Sequence, residues 1–377
     1  MQLSCLQENL SHGLSVVSRA VATRTTLPIT QHVLFATDAS RLKLSATNLE
    51  IAITTWIGAQ VEEEGAVTVP ARLLTDFVNS LSRDNITART AGGTRLLELN
   101  CARVEARING ADPNEFPPIP AVDQGVATQL GPQELRDAIH HVVFAAAVED
   151  SRPVLTGVNL SLEGEKLTLA AADGFRLAVH ESTLLKPVEE PLSVIIPART
   201  LQEVERLIEG EQEPIDVVVT PQRSQILFRM KDIEIVSQLI QGTFPNYNQL
   251  IPDKHDTRAV VDLGDLQRAT RTASIFAKDG SGIIRLQMAT EADGQPGKLT
   301  ISSRAEEVGE NTGDIEAEIE GTDGKIAFNS RYLSDVLAVI GKEKVALEMT
   351  TSSSPGVIRP VDGDSYVHVV MPMFVQW

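Results

Sequence analysis

The sequence predicts an α+β fold made of three repeated units, each with two helices laid on antiparallel strands. Two observations carry this. Val69-Pro70-Ala71-Arg72-Leu73-Leu74 returns as Ile196-Pro197-Ala198-Arg199-Thr200-Leu201, and more loosely as Phe328-Asn329-Ser330-Arg331-Tyr332-Leu333. The arginines at 72, 199 and 331 therefore step by 127 and then 132 residues. The second observation is that other landmarks keep the same order around these segments, the signature of an internal repeat of roughly 125 residues.

Each unit opens with a helical stretch: Leu10 to Ala22, Leu135 to Ala147 and Leu266 to Ala277. Short alternating runs follow and read as antiparallel strands, such as 42–44 with 51–53 and 217–219 with 226–228. The recurrent segment then begins a second amphipathic helix. Its apolar residues are Leu73, Leu74, Phe77, Val78 and Leu81 in unit one; Leu201, Val204, Leu207 and Ile208 in unit two; Leu333, Val336, Leu337 and Ile340 in unit three. Proline stands at a first-turn position in two copies, where its missing N–H costs nothing. Pro-rich exits close the units at 116–120, at 244–252 and at the terminal Val369-Val370-Met371-Pro372-Met373. The units are expected at 1–122, 123–253 and 254–377.

In unit two, Leu167 to His180 reads as two alternating runs around Asp173-Gly174. That is a hairpin signal, because Gly tolerates the positive φ of a tight turn. Phe175 and Arg176 follow at its tip, an exposed aromatic or one wall of a binding site.

The formal net charge is −18, which taken alone argues against nucleic acid. Its distribution qualifies that. The predicted helices 8–24, 70–83, 133–147, 197–209, 264–279 and 329–342 hold twelve basic and ten acidic residues (Asp279 among them), a net of +2. A polyanion would be repelled everywhere except along the helices. A second asymmetry separates the ends. Unit three carries Glu306, Glu307, Glu310, Asp314, Glu316, Glu318 and Glu320. Late unit one carries Arg95, Arg103 and Arg107, the last two on one face of an alternating stretch from Ala102 to Ile108. Opposite charges at opposite ends suit head-to-tail association. A solvated acidic loop and a basic edge strand guarding against aggregation would look the same.

No chemistry is signalled. Cys5 and Cys101 make neither a disulfide framework nor a metal cluster. The seven histidines stand at no metal-ligand spacing, and His140-His141 reads as a partly buried or solvated pair. No phosphate-binding glycine loop and no nucleophile elbow appears. No apolar run approaches the roughly 18 residues of a membrane span, and no secretory leader is read, so the cytosol is the default. No cofactor, no metal and no catalytic residue is expected.

Taken together, the residues resemble the bacterial DNA polymerase III beta subunit family, the sliding clamps. The likeness spans the whole chain. It rests on Arg24-Thr25-Thr26-Leu27-Pro28-Ile29, Ala172 to Ala178, Phe244-Pro245-Asn246-Tyr247, Tyr332 to Leu337 and the Val369 to Met373 tail. The resemblance implies a ring of two chains, six units in all, with helices lining a hole threaded by duplex DNA. Retention is then topological, and weak, sequence-blind phosphate contacts let the ring slide. Such a ring tethers the replicative polymerase and performs no reaction. Arg24 corresponds to a DNA-contacting position; charge and helix placement add Arg72, Arg136, Arg152, Arg199, Arg206 and Arg271.

At the dimer contact the resemblance places Ala106 and Ile108 opposite Ile275 and Phe276. There Arg95, Arg103 and Arg107 would pair with Glu306, Glu307 and Glu310. Ala106 stands where the family can carry a large aromatic. The family's site for short linear peptides from polymerases and the clamp loader maps to Leu155, Ala172, Gly174, Phe175, Arg176, Leu177, Pro245, Gln249, Leu250, Val369, Val370, Met371, Pro372 and Met373. Ala172, Phe175 and Gln249 replace the common Thr, His and Arg, Pro153-Val154 replaces a Tyr pair, and Phe374 to Trp377 extend the tail. Readings from other classes are a three-domain interaction scaffold that does not encircle DNA, and a hydrolase whose acids are hidden among surface carboxylates.

Overall fold

In the computed structural model, residues 1–90, 95–149, 151–278, 280–290, 297–363 and 365–377 are described. Asp279, counted in the helix charge, lies outside them. Among the described residues six α-helices form: α1 Gln7–Val17, α2 Ala71–Ser80, α3 Pro132–Val142, α4 Ala198–Leu207, α5 Leu263–Lys278 and α6 Ser330–Val339. Among them α1 packs with α2 and α5 with α6, and each of these pairs lies against antiparallel strands.

The recurrent segment starts its helix in each copy, by two different devices. Pro70 and Pro197 stand immediately before α2 and α4, where a fixed φ suits the entry. The third copy has Asn329, whose side chain accepts from the N–H groups of Arg331 at 2.9 Å and Tyr332 at 3.4 Å. That is a side-chain cap on two otherwise orphaned donors. Leu74 and Val78 of α2, Leu201 and Val204 of α4, and Leu333, Val336 and Leu337 of α6 are buried, as their spacing predicts. Leu73 departs from the pattern and is about half exposed.

The first helix stops short of the expected Arg24. After Val17 the chain tightens into a 3-10 turn at Ser18–Ala20 and leaves the helix. Thr25 then takes a local bond from the Leu27 N–H, and Pro28 opens a second 3-10 turn, Pro28–Gln31. Side-chain hydroxyls that serve the local backbone compete with helix in this way.

By packing, the chain forms two compact units. The first is Met1–Pro132, Leu184–Glu190 and Arg199–Leu239; the second is Gln133–Thr183, Pro191–Ala198 and Ile240–Trp377. In the first, one sheet runs in the order Gln60–Glu63, Gln2–Leu6, Asn85–Arg89, Leu96–Cys101, Val104–Asn109. A second set of strands runs from Val126–Leu130 to Ile215–Val219, Gln225–Arg229, Ile233–Gln238, Ile51–Gly58, Arg41–Thr47, His32–Asp38 and Ala66–Pro70. Val217 lies opposite Phe228 and Val219 opposite Ile226, as expected. The strands holding 42–44 and 51–53 also pair, but with 42–44 opposite 55–57 and Ala46 opposite Ile53.

In the second unit, one sheet has the order Gly309–Glu316, Lys298–Ala305, Ile283–Ala289, Gly324–Asn329. The other runs Glu318–Gly321, Thr257–Asp262, Lys344–Met349, Gly356–Pro360, Tyr366–Val370, and then the Arg176–Pro197 strand, which also pairs with Gly157–Ala172. Val104–Asn109 and Gly309–Glu316 are therefore edge strands of their sheets among the described residues.

The stretch expected as one strand from Ala102 to Ile108 is shorter. Ala102 takes a positive φ of 51° and, with Arg103, forms the turn before Val104–Asn109. Arg103 is thus a turn residue rather than a face-mate of Arg107. Ile108 pairs with Leu97 and is buried in its own unit, leaving Val104 as the exposed apolar side chain of this edge.

Candidate partner-docking site

All fourteen residues mapped to the peptide site lie in the second unit. The hairpin forms as the Asp-Gly signal predicts. Asp173 Oδ1 accepts from the N–H groups of Phe175 at 2.9 Å and Arg176 at 3.1 Å, and the Asp173 N–H donates to the Arg176 carbonyl at 3.3 Å. Gly174 has a φ of +96°, a conformation that L side chains rarely adopt. A Cβ there would also stand 2.8 Å from the Arg152 guanidinium.

From this turn the strand alternates, and the alternation divides the predicted site. Leu177 lies opposite Val369 and Val179 opposite Val367; Arg176 lies opposite Val370, Ala178 opposite His368 and His180 opposite Tyr366. Opposed residues share a face and successive ones change it. Leu177, Val179, Val367 and Val369 thus form one face. They join Ala170 and Val357, with Ala172, Phe244, Tyr247 and Ile251 packed against them. Arg176 and Val370 turn to the opposite face of the same strands.

Arg176 does not project from the tip. It is 8% exposed. Nε donates to Asp173 Oδ2 at 3.0 Å, Nη1 to Asp335 Oδ2 of α6 at 2.6 Å, and Nη2 to the Phe144 carbonyl at 2.9 Å. Its guanidinium carbon stands 4.6 Å from the Tyr332 ring centre and 5.2 Å from that of Phe144. Arg176 thus fastens the hairpin to α6 and to the end of α3. Phe175 does project: it is 58% exposed and stacks on Tyr332 at 6.3 Å.

Around this floor Leu155 is buried in a 3-10 turn, Pro153–Leu155. Pro245, Gln249 and Leu250 are exposed, while Phe244, Tyr247 and Ile251 of the same segment turn inward. The tail leaves Val370 and crosses the hairpin. The Met371 N–H donates to the Phe175 carbonyl at 2.8 Å, and the Met373 N–H to the Ala327 carbonyl at 2.7 Å. Lys325 stands 5.3 Å over the ring of Trp377, and Phe374 is exposed. Sequence reasoning missed Tyr332, Asp335 and Phe144 as supports, although Tyr332 and Asp335 stood inside a quoted motif. It also missed the inward Phe244-Tyr247-Ile251 set, whose signal was the three- and four-residue spacing of its apolar side chains.

On the helix-facing side lies a ring stack. His141 Nδ1 is 3.0 Å from His180 Nδ1, and His141 also stacks on Tyr366 at 4.6 Å. His368 packs on Phe144 at 5.5 Å. Burial holds all three imidazoles neutral, His180 at about 4 and His368 at about 3, with His141 lowered as well. Asp137 opposes the shift at His141 and His180, while His140, Lys342 and Arg176 reinforce it. Because the folded pKa values lie below the unfolded 6.5, the unfolded state takes up protons first as pH falls. Stability is therefore fully present above about pH 6.5 and declines through the window down to about 3, the His180 share being lost by about 4. For His180 alone the loss amounts to about 3 kcal/mol. Urea midpoints at pH 7.5 and pH 5 should fall accordingly, and a His180→Phe variant should show a shallower drop.

The arginines mapped to DNA are dispersed. In the first unit Arg24 is exposed in the loop after α1, Arg72 is 3.8 Å from Asp76 on α2, Arg199 is exposed on α4, and Arg206 is 3.3 Å from Glu203. In the second unit Arg136 lies on α3 and Arg271 is exposed on α5. Arg152 is exposed, and its Nη2 donates to the Asp173 carbonyl at 2.9 Å, at the docking site. The helices as formed hold eight basic and eight acidic residues, so the expected +2 becomes neutrality in a chain of net −18. No group of acids, histidines and cysteines suited to a metal occurs among the described residues.

Comparison with known proteins follows the same order along the chain. Models of the N-terminal, central and C-terminal domains of the DNA polymerase III beta subunit match residues 1–120, 129–246 and 248–374. The beta sliding clamp of Synechococcus elongatus is 33% identical over 378 residues, covering 99% of each chain. The solved DNA polymerase sliding clamp of Bacillus subtilis superposes with a TM-score of 0.93 at 27% identity over the full length of both chains. The DNA polymerase III subunit beta of Pseudomonas aeruginosa does so at 0.90 and 29%. The chain belongs to the DNA polymerase III beta subunit family, the sliding clamps.

Proposed function

We propose that two copies of this chain close into a ring around duplex DNA and tether the replicative polymerase to its template, without performing a reaction. The observation that carries this reading is the end-to-end likeness, three family domains in order over chains of equal length. The unit boundaries are then near 122 and 253, and the cytoplasm is the working compartment. The near-neutral helices within an acidic chain suit a lining that tolerates duplex without gripping it. Arg24, Arg72, Arg136, Arg199, Arg206 and Arg271 are its proposed phosphate contacts. The protein should stay on closed circular DNA after ATP-driven loading and be lost when the circle is cut. Equal retention on cut and closed DNA, or none on either, favours the non-encircling scaffold.

Partner peptides from the polymerase and the clamp loader would dock on the face of Leu177 and Val369, between Phe175, Leu250 and the Met371 to Met373 tail. An apolar wall with two methionines adapts to varied ligands. Cutting at Val369 would strip two core residues from the Tyr366–Val370 strand, so the informative truncation removes Met371 to Trp377. Peptide affinity should fall at least about tenfold, the loss of roughly 1.4 kcal/mol of contact, with the dimer mass unchanged in sedimentation. Unchanged affinity would displace the site.

A further inference from the structure

The sheet face that floors the docking site does not end there. Val179 and Val367 continue the row of Leu177 and Val369, and with Tyr247 and Ile251 they line a groove of about 400 Å³. Val179 belongs to the floor cluster, and Val367, Tyr247 and Ile251 pack against it, so the groove extends that floor along the Phe244 to Ile251 segment. Its rim is charged. Lys166 is 2.7 Å from Glu181 and Arg359 is 3.3 Å from Glu348, so both cations are satisfied. Glu163 also lines the groove, exposed and without an ion-pair partner among the described residues. Burial and the Glu181 charge together raise the Tyr247 phenol.

We propose that this groove receives the residues flanking the anchor of a docked partner peptide and selects basic ones, through Glu163. The inference rests on the peptide-docking reading above. An unpaired carboxylate lining a groove that continues the apolar floor, in a chain of net −18, gives a lysine or arginine a specific partner and repels an acidic flank.

The test uses the tightest-binding peptide from an array tiling the cognate replicative polymerase. It is trimmed to its anchor, then carried with Lys-Gly-Lys or Glu-Gly-Glu at each end in turn. Affinities are read by anisotropy at low salt against the full-length protein, Glu163→Gln, and Glu8→Gln, an equal charge change at an exposed site on α1. From one end, the basic flank should bind about fivefold tighter than the acidic one. Glu163→Gln should at least halve that ratio and Glu8→Gln should leave it unchanged. Equal binding of both flanks, or equal losses in both variants, overturns the groove assignment while leaving the anchor site standing. An array with no binding peptide overturns the docking site itself.

Discussion

Replacing Ile275 and Phe276 with arginine should yield a folded monomer. Ile275 is 65% exposed on α5, a large apolar side chain that its own chain leaves in water. Phe276 lies beside Gly309, the first residue of the Gly309–Glu316 edge strand, where a Cβ would stand 3.9 Å from its ring. Apolar surface next to an unpaired strand edge invites another chain. The edge proposed to meet it is Val104–Asn109, with Val104 exposed and Ala106 half-buried.

Charge favours the same join. Glu306, Glu307 and Glu310 are exposed and have no ion-pair partner among the described residues, and the same holds for Arg103. Arg107 and Arg95 already have local partners, Glu98 at 3.2 Å and Asp112 at 3.4 Å. These exposed pairs are worth little, so exchanging them across a dimer costs little. We therefore expect the apolar pair to dominate. Sedimentation velocity at micromolar concentration should give a single species at half the wild-type mass, with unfolding midpoints close to wild type. An Arg103→Glu variant should weaken the dimer several-fold without abolishing it. A double arginine variant that stays dimeric would place the interface elsewhere.

The repeat and the hairpin were legible because each rests on local chemistry. Pro or Asn before a helix, and Asp-Gly between alternating runs, act on their own backbone, so the sequence neighbourhood is enough. The division of the docking site into two faces was not legible. Period two says that Arg176 and Leu177 point apart, but which face holds the floor depends on pairing with Val369 and Val370, almost two hundred residues away. Ile108 illustrates the same limit: its parity was right for an edge contact, and only burial against Leu97 and its sheet shows that it faces inward. The helix ends were misjudged where hydroxyls and 3-10 turns, rather than apolar spacing, end the helix.

Arg176 should prove the most sensitive single side chain of the site, although it is buried rather than projecting from the hairpin tip. An exposed arginine at a hairpin tip would be replaceable; a buried guanidinium holding three acceptors is not. Arg176→Met keeps much of the volume. It leaves Asp173 and Asp335, 14% and 32% exposed, facing each other without the cation between them. It also leaves the Phe144 carbonyl without this donor. Removing one member of such a set costs about 3 kcal/mol, read as a lower urea midpoint. Freed from α6, the hairpin also loses the support that presents Phe175 beside the Met371 tail, so peptide affinity should fall in parallel. Arg176→Lys should recover only part of both losses, because a single ammonium cannot span acceptors that the planar fork reaches together. Phe175→Ala supplies the contrast. Its ring is mostly exposed, so peptide affinity should drop with the urea midpoint nearly unchanged. If Arg176→Met weakened peptide binding while leaving stability untouched, the arginine would be a direct contact after all, and the hairpin would owe its position to the Asp173 turn alone.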